Sequence, residues 1–321
     1  MSRWPATLGA LVAAVVIAAA CGSSATSSPA ASSGAPSALA AAPTTAIISA
    51  VGAENQYGDV IAQIGGRYVH VTSILSNPNT DPHTFEASPS VARVISSAQL
   101  IVQNGLGYDD FMNKLESASP NSQRAVITAQ SLLKLPDSTS NPHLWYDPIT
   151  MPAVAAAVAG DLAQLQPAHA AYFAANAKAF DVSLDAWLAA IARFKTDFPG
   201  APVATTEPVG DYLLEAAGMR NLTPFGLQAD IMNGVDPAPQ AIAFQEELFS
   251  RRKVNVFVYN QQVTDSLTQT FLRDAKKHGI AVVGVYETMP TPGFDYQSWM
   301  MAELNALSAA VAHGTSTETL Q

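Results

Sequence analysis

The stretch that decides the fold covers residues 151–198 and reads MPAVAAAVAGDLAQLQPAHAAYFAANAKAFDVSLDAWLAAIARFKTDF. Alanine, leucine, phenylalanine and valine recur in it at helical spacing. Pro167 divides the stretch into a first helix and a second helix of about 30 residues, 168–198. At ~1.5 Å per residue the second helix would be roughly 45 Å long, which is more than one compact lobe needs. The sequence therefore predicts a long helix that links two lobes.

On both sides of this stretch, short β-branched or apolar runs alternate with amphipathic segments, which is typical of parallel sheets covered by helices. The predicted strands are 46–51, 68–74, 100–103, 125–128, 203–206, 254–259 and 280–286. The predicted helices include 54–64, 89–97, 211–217, 239–251, 265–278 and 296–312. We therefore predict an α/β fold of two similar lobes with mainly parallel sheets: an N-terminal lobe over 46–166, the linking helix over 167–198 and a C-terminal lobe over 199–321.

The composition indicates an acidic globular protein. Apolar residues make up 48% of the chain and charged residues 13%, with a formal net charge of −10. An acidic chain without basic clusters argues against nucleic acid as a partner. Cys21 is the only cysteine, so no intramolecular disulfide can form.

Residues 1–20 have the layout of a secretory signal, with Arg3 as the only charge and an apolar run up to Cys21. A membrane-spanning helix is the alternative, but this run of about 15 residues is shorter than the ~20 that a bilayer crossing needs. Cys21 follows three alanines, and this context resembles a bacterial lipobox, in which the cysteine is acylated. The alternative is an ordinary cleavage site that precedes a cysteine.

Residues 22–45 contain Ser, Ala, Pro, Gly and Thr almost exclusively and carry no charge. Such a segment cannot bury enough apolar surface to fold, so it is predicted to be a flexible tether. Together with Cys21 this predicts a signal peptide over 1–20, a lipid-anchored tether over 21–45, and a globular body held at the outer face of a bacterial cell membrane.

Two histidines occur in nearly duplicated surroundings. His83 lies in NTDPHTFEASPS (79–90) and His143 in NPHLWYDP (141–148), each directly after a proline and two residues before an aromatic side chain. Proline fixes its own φ and restricts the preceding residue, so each imidazole would be presented from a stiff turn. A single histidine is more often structural, but the repeated context predicts a pair of metal ligands.

Two glutamates follow predicted strands. Glu207 lies in ATTEPVG (204–210) and Glu287 in VYETMPTPG (285–293). The carboxyl ends of parallel strands form the edge at which such sheets bind ligands, although a solvated loop glutamate is the alternative for either residue. If the two imidazoles and two carboxylates converge, they would suit zinc, manganese or, less well, iron(II). The residues themselves leave the choice between zinc and manganese open.

These segments resemble the metal-binding solute-binding proteins of bacterial ABC importers, the zinc and manganese group that includes lipoproteins once described as adhesins. The resemblance implies two lobes joined by one long rigid helix, with one metal ion in the cleft between the lobes. It implies His83, His143, Glu207 and Glu287 as the ligands. Many members have an aspartate at the last position, which leaves Asp295 as the substitute for Glu287.

The resemblance implies a monomeric, extracytoplasmic protein that captures one zinc or manganese ion and delivers it to a membrane permease. Asn141 and Glu86 are predicted to be hydrogen-bond partners of the imidazoles, because a ligating histidine usually donates its other N–H to a neighbour. Four protein ligands leave no open position for a substrate, so we predict no enzymatic activity. The alternatives are a secreted metallohydrolase that uses the same histidines with Glu287 as base, and a surface adhesin.

Overall fold

The computed structural model describes residues 46–79 and 82–320 of the chain. The predictions for the signal peptide, the tether and Cys21 concern residues 1–45 and lie outside the described part. Within the described part, no helix combines the length and the apolar character that are needed to cross a bilayer.

The described chain contains two four-stranded sheets in which all pairings are parallel. The first sheet has the order β2-β1-β3-β4 and the second the order β6-β5-β7-β8, so the two sheets share one topology. The strands are β1 Ile48–Glu54, β2 Val69–Leu75, β3 Leu100–Gln103, β4 Ala125–Thr128, β5 Pro202–Thr205, β6 Arg220–Asn221, β7 Val256–Asn260 and β8 Ala281–Val285. The predicted fold class is therefore confirmed.

The central strands read as continuous apolar runs because helices cover both faces of each sheet. All residues of β3, β7 and β8 are buried. The helices are α1 Asn55–Gly65, α2 Pro89–Ser97, α3 Asp110–Ala118, α4 Ala129–Leu132, α5 Thr150–Leu165, α6 Ala170–Ser183, α7 Asp185–Asp197, α8 Asp211–Ala216, α9 Phe225–Met232, α10 Pro239–Ser250, α11 Ser266–Lys277 and α12 Tyr296–His313.

The single helix predicted over 168–198 is wrong in one respect: the structure has two helices here, α6 and α7, which are separated by Leu184 alone. The hydroxyl of Ser183 donates to the carbonyl of Phe180 at 2.6 Å, and such side-chain bonding competes with the helical ladder and bends helices. Helix α6 packs against α1 and α5, whereas α7 packs against α12. The two segments thus connect the helices of the first sheet with those of the second.

One hydrophobic cluster extends through both halves of the described chain. It includes Ile48 of β1, Val203 of β5 and the fully buried indoles of Trp145, Trp187 and Trp299. Because apolar side chains from both sheets exclude water together, separating the halves would expose this surface at a considerable cost in free energy. The cluster therefore packs the elements around the two sheets against each other.

Candidate metal centre

The polar groups of the candidate centre come from the carboxyl ends of the strands. His83 follows β2, Glu207 follows β5 and Glu287 follows β8 by two residues. His143 lies in the connection between α4 and α5, directly before a 3₁₀ turn. Because every strand is parallel to its neighbours, these ends lie along one edge of each sheet, where such folds bind ligands.

Three of the predicted ligands meet at one point. Nε2 of His83 lies 3.1 Å from Oε2 of Glu287, and Nε2 of His143 lies 3.2 Å from the same oxygen. The three ligand atoms lie within 4.8 Å of one another. Two ligand atoms that bind zinc at ~2.1 Å in a tetrahedron are separated by ~3.4 Å, so the two nitrogen–oxygen distances are close to those of a metal site.

Glu207 is connected to Glu287 through the side-chain amide of Asn260. Nδ2 of Asn260 donates to Oε1 of Glu207 at 3.1 Å and to Oε1 of Glu287 at 2.7 Å. Glu207 is buried, with 2% of its surface exposed. The structure therefore places the two predicted carboxylates beside each other, but Glu207 does not belong to the group of three atoms around Oε2 of Glu287.

Burial and mutual interactions shift the pKa values of His143 and Glu287. His143 and Glu287 are fully buried, whereas 25% of the His83 side chain is exposed. Burial lowers the pKa of His143, and the hydrogen bond and charge of Glu287 oppose this effect only in part. For Glu287, burial alone would raise the pKa, but the hydrogen bonds and charges of His143 and His83 outweigh it and hold the pKa below its ordinary value. Metal binding requires the deprotonated forms of both groups, a neutral imidazole and an ionised carboxylate.

The chain matches one known protein family over most of its length. Residues 51–310 match the model of the ZnuA family, described as the zinc-uptake complex component A, periplasmic. The chain belongs to the ZnuA family. This membership confirms the resemblance that was inferred from the segments around His83 and His143.

Relatives of this ZnuA family member are distant in sequence and near in fold. The manganese-binding lipoprotein MntA of Bacillus subtilis is 27% identical over 150 residues, 44% of this chain and 48% of MntA. The alignments span about half or less of the first curated relatives matched. The structure of the periplasmic zinc-binding protein TroA from Treponema pallidum superposes with a TM-score of 0.70 at 19% identity, covering 82% of this chain and 99% of TroA. FpvC from Pseudomonas aeruginosa in complex with Mn²⁺ gives a TM-score of 0.68 at 20% identity, covering 84% of this chain and 99% of FpvC.

Asn141 orients the buried imidazole of this ZnuA family member. Its Nδ2 donates to the carbonyl of Pro208 at 2.8 Å, so its Oδ1 is the end that faces His143. That oxygen accepts from the backbone N–H of His143 at 3.0 Å and lies 2.8 Å from Nδ1. Nδ1 therefore carries a proton and donates it to Asn141, so in the neutral imidazole the lone pair of Nε2 is directed at Glu287.

The lone pair of His143 Nε2 and the Oε2 atom of Glu287 are both hydrogen-bond acceptors when the imidazole is neutral. Two acceptors at 3.2 Å repel each other unless a cation lies between them, either a proton or a metal ion. A metal ion bound to both atoms would remove this repulsion. The centre thus offers this nitrogen and this oxygen as a pair of ligand atoms.

The other predicted residues lie elsewhere. Glu86 is exposed on the segment between β2 and α2. Asp295 is exposed and caps α12, where its side chain accepts from the backbone N–H of Ser298 at 2.9 Å. The structure thus brings Glu287, and not Asp295, to the two histidines.

Tyr108 and Asn260 contact the ligand group and were not predicted from the sequence. The hydroxyl of Tyr108 donates to Oε2 of Glu287 at 3.0 Å, and its ring lies edge-on to His143 at 5.8 Å. Tyr108 is in the loop after β3, and Asn260 ends β7. Both residues also lie at the carboxyl ends of strands, where parallel sheets bind ligands. Their neutral side chains are common in proteins, so the sequence alone did not mark them as site residues.

Proposed function

We propose that this chain is the extracytoplasmic component of an ABC importer, which captures one divalent transition metal ion and delivers it to the membrane permease. The observation that carries this proposal is the convergence of two Nε2 atoms and one carboxylate oxygen within 4.8 Å in a largely buried groove. Membership of a family described as a periplasmic component of zinc-uptake complexes supports the role.

We propose His83, His143, Glu207 and Glu287 as the metal ligands, with Asn141 as the partner that fixes the His143 tautomer. Two imidazoles supply nitrogen donors, and two carboxylates neutralise a dication in a largely buried site. This donor set suits zinc and manganese. Relatives support the same range, since MntA is named a manganese-binding lipoprotein and TroA a zinc-binding protein.

A metallohydrolase is the alternative activity, with Glu287 acting as a base on a metal-bound water. A base of that kind is separated from the metal ion by the water that it deprotonates, whereas Oε2 of Glu287 lies 3.1 and 3.2 Å from the two Nε2 atoms, at the spacing of a direct ligand. These distances favour a direct ligand over a base. Zinc-loaded protein is accordingly expected to show no chelator-sensitive hydrolysis of ester, peptide or phosphate substrates.

Metal analysis tests the proposed function directly. Protein purified without added metal is analysed by mass spectrometry, then stripped and titrated with zinc and manganese in competition. We expect one ion per chain, bound at least as tightly as ~1 μM. A chain that binds neither ion, or only in amounts unrelated to its concentration, would contradict the proposal. A deletion strain should then need added metal only when a chelator makes metal scarce.

We further propose that residues 1–20 direct export and that Cys21 carries the lipid anchor of the tether 21–45, while the body acts as a monomer beside the permease. Replacing Cys21 by serine removes the acceptor of the acyl chain. The Cys21→Ser protein is expected in the soluble extracytoplasmic fraction, and the wild-type protein in the membrane fraction. Recovery of both proteins in the membrane fraction would contradict lipid anchoring through this residue.

A further inference from the structure

Asn260 occupies the centre of the carboxylate side of the candidate site. It is the last residue of β7, and β7 lies between β5 and β8 in the second sheet. Glu207 follows β5 and Glu287 follows β8, so the strand order places Asn260 between the two glutamates. Its side chain is completely buried.

The orientation of the Asn260 amide is fixed by its other hydrogen bond. Oδ1 accepts from the backbone N–H of Gln262 at 3.0 Å. The NH₂ end must therefore face the carboxylates, where it donates to Oε1 of Glu207 at 3.1 Å and to Oε1 of Glu287 at 2.7 Å. An amide nitrogen has two N–H groups, one for each carboxylate.

The two oxygens of Glu287 thereby have separate partners. Oε1 is held by Asn260, whereas Oε2 faces His83 Nε2, His143 Nε2 and the hydroxyl of Tyr108. Only Oε2 is presented to a metal ion between the imidazoles. The same amide holds Oε1 of Glu207, so each carboxylate has one oxygen hydrogen-bonded to Asn260.

We infer that Asn260 is a positioning residue that keeps Glu207 and Glu287 monodentate and so biases the site toward zinc over manganese. The inference rests on the proposed function. Two nitrogens and two single carboxylate oxygens make a set of four donors, which matches tetrahedral zinc. Manganese prefers more oxygen donors in a six-coordinate arrangement, which a carboxylate can supply by binding through both oxygens.

Removal of the Asn260 amide should release both Oε1 atoms for coordination. For Asn260→Ala we expect zinc affinity to fall about 10–100-fold, the usual effect of losing a group that orients a ligand. Manganese affinity should fall less, because bidentate binding becomes possible, so the manganese-to-zinc affinity ratio should rise at least about fivefold. Tyr108→Phe is the matched control: it removes one hydrogen bond from Oε2 of Glu287 and leaves Oε1 held, so both affinities should fall with an unchanged ratio.

The experiment measures both dissociation constants by competition with a chelating dye for wild type, Asn260→Ala and Tyr108→Phe. An unchanged ratio in a folded Asn260→Ala protein overturns the inference. X-ray absorption of the zinc-loaded wild-type chain decides the case without any variant: four nitrogen and oxygen neighbours support the inference, and five or six overturn it. A wild-type chain that binds neither metal overturns the proposed function as well, whereas tight binding with a bidentate carboxylate overturns this inference alone.

Discussion

The side chain of Asn55 pairs with the backbone of Met289 through two hydrogen bonds. Nδ2 donates to the Met289 carbonyl at 2.8 Å, and Oδ1 accepts from the Met289 N–H at 3.0 Å. Asn55 begins α1 after the first strand of the first sheet, and Met289 lies two residues after Glu287 in the second half. Beside this pair, Nε2 of Gln56 donates to the carbonyl of Glu287 at 3.2 Å. The loop that presents Glu287 is therefore held by side chains from the opposite half of the fold.

Asn55→Ala should weaken both folding and metal binding. The change leaves a buried N–H and a buried carbonyl of Met289 without partners, which is expected to lower the free energy of unfolding by about 1–3 kcal/mol. Metal affinity should fall at least about tenfold, because the loop of Glu287 loses its support. Urea unfolding of the metal-free protein and a zinc titration measure the two effects.

The control for this variant is Asn121→Ala, since Asn121 is exposed and its Oδ1 accepts from the nearby backbone N–H of Gln123 at 2.9 Å. A surface change of this kind should alter stability by no more than about 0.5 kcal/mol. Unchanged metal affinity in Asn55→Ala would mean that the loop of Glu287 keeps its position without the pair.

Glu287 and Asp295 should behave differently on substitution. Glu287→Gln keeps the size of the side chain but removes the charge beside both imidazoles, so zinc affinity should fall by more than the ~10–100-fold that is typical of a supporting residue. Asp295→Ala should cost about 1 kcal/mol of stability through the lost helix cap and leave zinc affinity unchanged. Calorimetric titration and thermal unfolding of both variants distinguish the two roles. A loss of zinc affinity in Asp295→Ala would indicate that Asp295 is a metal ligand.

Much of the fold could be predicted because its signals are local. Ser88 followed by Pro89 predicted a helix over 89–97, and α2 has these bounds, with the Ser88 hydroxyl accepting from Val91 N–H. Strand β6 was missed because two residues at a sheet edge carry no periodicity. The interruption at Leu184 was also missed, since it depends on which carbonyl the Ser183 hydroxyl selects.

Within the candidate site, only residues with both a metal-binding side chain and distinctive neighbours in the sequence could be predicted. His83, His143 and Glu287 have distinctive flanking residues, and the structure brings them together. Asn260 has no such context. Its position between Glu207 and Glu287 follows from the strand order β5-β7-β8, in which three segments distant in the chain become neighbours. Pairing between distant strands depends on packing of the whole sheet, and no short motif encodes it.

A buried carboxyl in α12 provides a test by pH. Glu303 is fully buried, and its Oε1 accepts from the hydroxyl of Tyr146 at 3.2 Å and from Nε1 of Trp299 at 3.1 Å. Burial raises the pKa of Glu303 from 4.5 to about 8, although these two hydrogen bonds oppose the change. Between pH 4.5 and 8 the folded chain therefore keeps a proton that the unfolded chain releases, so this group lowers stability as the pH rises through that window.

Glu303→Gln should remove this pH dependence, because the amide does not titrate and its oxygen can still accept from Tyr146 and Trp299. Relative to wild type, the variant should gain roughly 3–4 kcal/mol in free energy of unfolding between about pH 5 and pH 8. Urea unfolding at several pH values measures this difference. Asn121→Ala, an exposed change that alters no titrating group, is the control and should give a constant difference. A constant difference for Glu303→Gln would mean that Glu303 is ionised in the folded protein at neutral pH.

Strand β1 and helix α1 approach each other closely at two glycines, Gly52 and Gly58. A Cβ atom at Gly52 would lie 2.4 Å from the backbone nitrogen of Gly58, which is too close for any real contact. Gly52→Ala must therefore displace α1, and overpacking of this kind costs about 1–3 kcal/mol. Because α1 begins with Asn55, zinc affinity should fall together with stability. Gly160→Ala is the matched control: it lies inside α5 with no atom within 4 Å of the new methyl group.

Gly160→Ala should stabilise the protein by roughly 0.5–1 kcal/mol, since alanine loses less entropy than glycine in a helix, and it should leave zinc affinity unchanged. Thermal unfolding and zinc titration of the two variants together separate a general effect of stability on binding from the specific effect of moving α1. If Gly52→Ala lost stability but kept full zinc affinity, the contact of Asn55 with the loop of Glu287 would not control the site, because α1 could then move without disturbing the carboxylate.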